Sequence, residues 1–189
     1  MDEVTCPTRA LKFYGWPATI DELVRKAVED KTFYDRTGGG VTISGGEPLF
    51  FPEWTYEFLS ACRGAGLHTC IDTSLYAPPA VIERMLPVVD MWLPDFKCAD
   101  EARHERYTGV SNHVIKKNLE CLVAAHAKME VRCLVVPGCT EDLSLRYDYL
   151  ASIGVPRQGV VKLDYHDNAR SKYQALNLVD TMPPKGSLR

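Results

Sequence analysis

Residues 38–48 of this chain read GGGVTISGGEP. The β-branched run at 41–43 has the composition of a β-strand. Gly45 and Gly46 then let the backbone turn sharply and present its N–H and C=O groups to a ligand. Glu47 adds a negative charge at the strand end, which suits a ligand cation such as an ammonium group. The stretch therefore predicts a ligand-binding loop between a strand and a helix; the alternative is a glycine-rich loop with a solvated glutamate.

Composition sets limits on the class of protein. The 189 residues are 46% hydrophobic and 25% charged, which suits one globular domain with a substantial core. A net charge of −3 gives no broad attraction to nucleic acid, so no nucleic-acid partner is expected. No apolar run is long enough to cross a bilayer, so no membrane partner is expected. The seven cysteines are odd in number and widely spread, which predicts reduced thiols and a cytoplasmic protein.

Strand-like and helix-like segments alternate along the chain, without hairpin signals. Helices are predicted after Thr19, whose capping box would be closed by Glu22, and at Pro52, Pro78, Ser111 or Asn112, and 141–153. Strands are predicted at 40–44, 68–72, 89–93, 131–136 and 160–163. This alternation predicts a parallel sheet covered by helices, with Trp54, Phe58, Trp92 and Phe96 in the core. Five strands are too few for a closed eight-stranded barrel, so an open, partly curled barrel or a doubly wound sheet remains.

Charged or glycine-rich groups occur near the end of every predicted strand. Since the carboxyl ends of parallel strands share one face and bind ligands there, these groups predict a site. An amino-acid-like ligand would find Glu47 and loop carbonyls for its ammonium, Lys97 for its carboxylate and Asp72 for a hydroxyl or cation. The candidate residues are Ser44, Gly45, Gly46, Glu47, Asp72, Thr73, Asp95, Lys97, Arg132 and His166.

Each candidate also has a plainer interpretation when taken alone. Asp72 and Asp95 could cap turns, and Lys97 could be an ordinary solvated lysine. Arg132 lies in an apolar strand, so it must be at an edge or be paired. A loop histidine such as His166 is usually exposed. Only their joint placement favours a site.

An ordered set of short motifs adds a family resemblance. It comprises residues 38–49, Asp72-Thr73-Ser74, Asp95-Phe96-Lys97, Tyr107-Thr108-Gly109, Asn118-Leu119, Arg132, and Tyr165-His166. Over residues 5–176 the set resembles a family of radical S-adenosylmethionine (SAM) enzymes that activate glycyl radical enzymes. Pyruvate formate-lyase activating enzyme is a member of this family, and the resemblance is to the members with two clusters. Leu75 and Asn177 stand where this family frequently has glycine.

The resemblance implies a fold, a chemistry and partners. The fold would be a partial, open parallel β/α barrel of the radical SAM type. A [4Fe–4S] cluster would reductively cleave SAM, and the 5′-deoxyadenosyl radical would abstract hydrogen from a backbone glycine of a partner glycyl radical enzyme. A flavodoxin or a ferredoxin-type protein would supply the electron.

The resemblance also implies residue roles. The SAM amino group would be held by Ser44, Gly45, Gly46 and Glu47. Asp72 and Thr73 would lie near the ligand and, with Asp95, help to bind a monovalent cation. Lys97 would meet the methionine carboxylate. Arg132 and His166 would line the pocket and the approach of the partner's glycine-bearing loop.

One departure from the family is large, because the CxxxCxxC loop that binds the radical-generating cluster is absent. Cys6-Pro7 resembles the final Cys-Pro of a ferredoxin-like insert, so Cys6 would be one isolated ligand of an auxiliary [4Fe–4S] cluster. We expect residues 1–16 to be a remnant of that insert, 17–176 a partial barrel without its first strand and helix, and 177–189 a tail. The chain would then be the C-terminal part of an activase, as a fragment, a frameshift product or half of a split protein, and inactive alone.

Two other functions stay open from the sequence. The chain could be a non-catalytic module that keeps the partner-docking face. It could instead be an unrelated parallel α/β enzyme, such as an aldolase-like barrel with Lys97 as a Schiff-base candidate.

Overall fold

The computed structural model describes residues 15–166, 168 and 170–180. Its strands are β1 (Val41–Ile43), β2 (Thr69–Thr73), β3 (Met91–Pro94), β4 (Val131–Val135) and β5 (Val160–Asp164). The first three strands form one parallel sheet, and β4 pairs in parallel with β5. Parallel bridges between Trp92 and Met129 and between Asp95 and Arg132 join β3 to β4. The strands therefore follow chain order in one curved layer.

This strand order confirms the predicted open parallel α/β fold. A doubly wound sheet reverses its strand order partway across, whereas this layer adds each strand beside the previous one, as a barrel does. The layer does not close, because β1 and β5 do not pair with each other.

Helices connect the strands. They are α1 (Ile20–Glu29), α2 (Lys31–Thr37), α3 (Pro52–Gly64), α4 (Pro79–Met85), α5 (Glu101–Thr108), α6 (His113–Ala124), α7 (Leu143–Ser152) and α8 (Arg170–Ala175). The predicted capping box of α1 is present: Glu22 N donates to Thr19 Oγ1 over 3.2 Å, and Thr19 N donates to Glu22 Oε2 over 2.8 Å. Pro52 begins α3 as predicted, since its missing N–H costs nothing in the first turn.

Three helices are not predicted by the sequence analysis: α2, α5 and α8. The signals for α5 are nonetheless in the sequence. Asp100 caps it by accepting a hydrogen bond from Arg103 N over 2.7 Å, and Gly109 ends it with φ +82°. The helix lacks the apolar periodicity by which helices are predicted, because most of its side chains are polar and exposed.

The core lies between the strand layer and the helices. Trp92, Phe96 and Phe58 are buried there, as predicted. Trp54 was expected in the core as well, and that expectation is wrong: 41% of its surface is exposed. Trp54 instead stacks on Phe58 from outside, with ring centroids 5.4 Å apart.

Gly40 permits the close approach of β1 to β2. A Cβ atom at this position would lie 2.1 Å from the carbonyl oxygen of His68. The adjacent Val41 N donates to that same oxygen over 2.9 Å, so the contact forms part of the strand pairing. Any larger residue at position 40 would push the two strands apart.

Candidate ligand-binding site

A cleft of about 360 Å³ opens at the carboxyl ends of the strands. It is lined by Ser44, Gly45, Gly46, Glu47, Asp72, Thr73, Ser74, Asp95, Lys97 and Arg132. The structure thus brings together every predicted cofactor-binding residue except His166. They come from the carboxyl ends of β1, β2 and β3 and from Arg132 near the start of β4, which explains why residues far apart in the sequence share one cleft.

Glu47 joins the glycine-rich loop to the end of β2. Its Oε1 accepts hydrogen bonds from Thr73 Oγ1 over 2.6 Å and from Leu49 N over 3.1 Å. Its Oε2 accepts from Ser74 N over 2.8 Å and from the Ser74 hydroxyl. A carboxylate offers about four acceptor positions, so all of them are used within the protein. The side chain of Glu47 therefore fixes the loop, and the loop carbonyls are the acceptors left for a ligand.

Gly45 shapes the same loop. Its φ of +118° lies in a region that side-chain-bearing residues rarely adopt, and a Cβ there would meet nothing within 4 Å. Backbone conformation, not crowding, thus requires glycine at this position. Gly46 has neither restriction.

Arg132 lies between two carboxylates of the cleft. Its Nη2 is hydrogen-bonded to Asp72 Oδ1, and its Nε lies 3.4 Å from Asp95 Oδ1, as an ion pair whose alignment is too poor for a hydrogen bond. Burial alone would lower the pKa of Arg132, but the two carboxylates outweigh it and hold the pKa above its usual value. Arg132 is therefore paired, as its place in an apolar strand requires.

The other polar groups of the cleft extend this network. Lys97 Nζ donates to Asp95 Oδ2 over 3.0 Å, and Ser44 Oγ donates to Asp72 Oδ2 over 2.9 Å. With Glu47, the cleft holds three carboxylates and two cations. It offers both signs of charge within one space, which is what a zwitterionic ligand needs.

The structure does not place the other two predicted site residues in the cleft. His166 follows β5, is exposed and does not line the cleft. Cys6 lies outside the described residues. Within those residues, no group of three or more His, Cys, Asp or Glu side chains could hold a metal ion. The part of the chain that the structure describes therefore contains no set of ligands for an iron–sulfur cluster.

A buried polar group beneath the cleft was missed by the sequence analysis. Arg146, on α7, is fully buried and donates to Leu134 O over 2.9 Å and to Thr140 O over 2.6 Å. Its Nε lies 3.2 Å from Asp142 Oδ1. Burial alone would raise the pKa of Asp142, but hydrogen bonds from Cys98 and Ala99 N, with the charge of Arg146, hold it below its usual value. This ion pair anchors the segments that follow β3 and β4.

An aromatic groove of about 520 Å³ adjoins the cleft. Its walls include Phe50, Phe51 and Trp54, of which the first two are 75% and 67% exposed. The groove shares Ser44, Gly46 and Glu47 with the cleft. It lies beside β1, which pairs only with β2 among the described residues.

No helix of the described residues combines the length and the hydropathy that a bilayer span requires.

Comparison with known proteins identifies the superfamily. The Radical SAM superfamily model matches residues 5–143, and the chain therefore belongs to that superfamily. Its curated relatives include many activating enzymes, which confirms the resemblance to the glycyl radical enzyme activating enzymes. The aldolase-like alternative is accordingly wrong.

Three curated relatives illustrate the similarity. The chain is 36% identical over 176 residues to the (2S)-3-sulfopropanediol dehydratase activating enzyme of Klebsiella oxytoca, covering 91% of this chain and 56% of the relative. The benzylsuccinate synthase activating enzyme of Thauera aromatica is 35% identical, with 89% and 52% covered. The isethionate sulfite-lyase activating enzyme of Nitratidesulfovibrio vulgaris is 38% identical, with 91% and 57% covered. The chain spans about half the length of these relatives.

Solved structures agree on the fold. A domain of a pyruvate-formate lyase-activating enzyme from Bacteroides vulgatus superposes with a TM-score of 0.62 at 29% identity, covering 74% of this chain and 93% of that domain. Streptococcus suis SuiB bound to S-adenosylmethionine gives a TM-score of 0.64 at 15% identity, covering 87% of this chain and 39% of that one. At 15% identity, the similarity to SuiB concerns the fold alone.

Proposed function

We propose that this chain carries the SAM-binding site of a glycyl radical enzyme activating enzyme. The observation that supports the proposal best is the cleft at the strand ends, where a glycine loop fixed by Glu47 faces Lys97 and a paired set of carboxylates. In a complete activating enzyme, a [4Fe–4S] cluster would supply the electron that cleaves SAM, and the 5′-deoxyadenosyl radical so formed would take a hydrogen atom from a glycine of the partner.

The cleft residues fit the methionine part of SAM. The carbonyl groups of the loop at 44–46 are suited to the ligand ammonium, because the oxygens of Glu47 are already engaged. The negative charge of Glu47 nearby still favours a cation. Lys97 would exchange its contact with Asp95 for the ligand carboxylate. These residues bind and orient the substrate.

The described residues do not fit an iron–sulfur cluster, since they contain no suitable group of ligands. We therefore assign them no role in cluster binding, and the auxiliary-cluster role of Cys6 stays a prediction. The further partners are proposals as well: a glycyl radical enzyme as target and a flavodoxin or ferredoxin-type protein as electron donor. The relatives that carry the name activating enzyme support the first of these.

The geometry bears differently on the two residues proposed to face the partner. Arg132 lies in the cleft with Asp72 and Asp95, so a role in the approach of a partner would require these ion pairs to break. His166 keeps the proposed partner-facing role, and its exposed position is compatible with it.

Isothermal titration calorimetry tests the proposal without any cluster. The full chain is titrated with S-adenosylhomocysteine and with methylthioadenosine, which lacks the amino acid part. We expect S-adenosylhomocysteine to bind more tightly, and Lys97→Met to weaken it about 10- to 100-fold, as for loss of a charged hydrogen bond.

Lys162→Met is the matched control, because Lys162 is an exposed lysine of β5 that does not line the cleft. Its affinity should equal that of the wild type. The proposal is wrong if the wild type does not distinguish the two ligands, or if Lys97→Met binds S-adenosylhomocysteine as well as the wild type does.

A further inference from the structure

The turn after β2 is held from behind by one buried side chain. Asn118, on α6, is fully buried, and its Nδ2 donates to Leu75 O and to Ala77 O, both over 2.8 Å. Its Oδ1 has no hydrogen-bond partner within the described residues. Asn118 thus uses both amide hydrogens on the turn and nothing else, although an unpaired buried oxygen is costly.

The turn held in this way has an unfavourable backbone conformation. Leu75 has a φ of +57°, which is unfavourable for a residue with a side chain. Its amide donates to Thr73 Oγ1 over 3.0 Å, and its side chain is fully buried. Such a conformation persists only where its surroundings determine it, and the two hydrogen bonds from Asn118 are part of those surroundings.

The same turn carries the donors that hold Glu47. Thr73 Oγ1 and Ser74 N donate to the two carboxylate oxygens over 2.6 and 2.8 Å. A continuous series of contacts therefore runs from Asn118 through the turn to Glu47 and the loop at 44–46. A shift of the turn would move the donors of Glu47 and, with them, the loop carbonyls.

From this series we infer that Asn118 is a positioning residue for the ammonium-binding carbonyls of the glycine loop. The inference rests on the proposed function, because it concerns the same ligand. Asn118 touches no ligand itself. It acts by fixing the turn at 73–77, and its loss should weaken one contact of the ligand more than the others.

The chain offers a matched comparison in Asn112, which directly precedes α6. Asn112 is also buried, and its Nδ2 donates to Cys98 O over 3.0 Å and to Ala99 O over 3.1 Å. Its Oδ1 likewise has no hydrogen-bond partner in the described part of the chain. It therefore holds the segment after Lys97, on the side of the cleft proposed for the ligand carboxylate.

The test separates the two ends of the ligand. Calorimetry compares S-adenosylhomocysteine with its analogue lacking the amino group and its analogue lacking the carboxylate, for the wild type, Asn118→Ala and Asn112→Ala. For Asn118→Ala we expect the preference for the amino group to fall about tenfold, a loss near 1.4 kcal/mol. The preference for the carboxylate should stay within about twofold. For Asn112→Ala we expect the converse.

A residue that merely stabilises the core would lower both preferences equally or neither. Asn118→Ser, which keeps one donor in a smaller side chain, should give an amino-group preference between those of the wild type and Asn118→Ala. It also provides the comparison if Asn118→Ala does not fold. The inference is overturned if Asn118→Ala keeps the wild-type preference for the amino group. If only Asn118→Ser folds, the same result in that variant overturns it. If the wild type has no preference for the amino group, the proposed function fails instead.

Discussion

Arg132 on β4 is hydrogen-bonded to Asp72 at the end of β2, although β3 lies between those two strands. The long guanidinium side chain passes over the end of the intervening strand, where it also meets Asp95. The ends of β2 and β3 are thereby tied to β4 by one cation. The family resemblance implies a monovalent cation near the same two aspartates, and here the guanidinium occupies the space between them.

This arrangement predicts that the stability of Arg132→Ala depends on a cation bound from the solution. Without the guanidinium, Asp72 and Asp95 repel each other in a half-buried site, and we expect a loss of about 1–3 kcal/mol in unfolding free energy. Sodium or potassium chloride should restore part of the lost melting temperature. Differential scanning calorimetry in N-methylglucamine chloride of equal ionic strength controls for screening. Equal effects of all three salts would contradict the prediction.

The close approach of β1 to β2 predicts a large cost for Gly40→Ala. The added methyl group would meet the backbone carbonyl of His68, which cannot move without breaking the strand pairing. We expect a loss of about 2–3 kcal/mol in unfolding free energy, measured by urea denaturation. Gly64→Ala is the control: it lies in the last turn of α3 with nothing within 4 Å, and should gain about 0.5 kcal/mol. Equal stability of the two variants would show that the strands can separate easily.

Acid should destabilise the protein partly through Asp142. Its pKa is lower in the folded state than the ordinary value of 3.8, so the unfolded chain takes up a proton first as pH falls. The stabilisation is fully present above about pH 5 and is lost progressively below it. Asp142→Asn should therefore show a shallower decline in unfolding free energy between pH 5 and pH 3.

The same variant should be less stable than the wild type at pH 7 by about 3–5 kcal/mol, because Arg146 keeps a buried charge without its ion-pair partner. Denaturant unfolding at a series of pH values measures both effects. Parallel pH profiles for the variant and the wild type would contradict the assignment.

The aromatic groove beside β1 predicts self-association. An edge strand offers unpaired backbone groups, and exposed apolar side chains next to it add a favourable contact. We expect Phe50→Ser combined with Phe51→Ser to reduce oligomer content at least severalfold, as measured by analytical ultracentrifugation. Tyr173→Ser is a suitable control, since Tyr173 is an exposed aromatic residue on α8 that does not line this groove. An unchanged sedimentation profile for the double variant would show that the groove is not the contact.

Residues of the cleft could be predicted from the sequence because parallel topology brings strand ends together. Once strands are predicted at 40–44, 68–72 and 89–93, Glu47, Asp72 and Asp95 are expected to share one face. The two departures from family glycines also have a structural meaning: Leu75 and Asn177 keep φ values of +57° and +53°. The sequence resemblance predicted these positions, but only the structure shows that the left-handed conformation is retained without glycine.

Long-range side-chain pairing could not be predicted in the same way. The partners of Arg146 are mainly backbone carbonyls, which every residue has, so the sequence carries no sign of them. Trp54 has the helical spacing of a core residue, yet it lies outermost because Phe58 takes the inner position. That the Glu47 carboxylate is fully engaged within the protein was likewise not foreseeable, since its donors Thr73 and Ser74 come from another strand end.

The strand order has a consequence for how the protein can be assayed. Because the cleft is assembled from residues of four successive strands and the loops that follow them, no pair of neighbouring strands contains more than part of it. A ligand that contacts all four can bind only after the whole layer has formed, and its binding then stabilises the layer as a unit. Saturation with such a ligand at 100 times its dissociation constant should raise the unfolding free energy by about 2.7 kcal/mol. The shift in melting temperature thus measures occupancy of the cleft without any turnover.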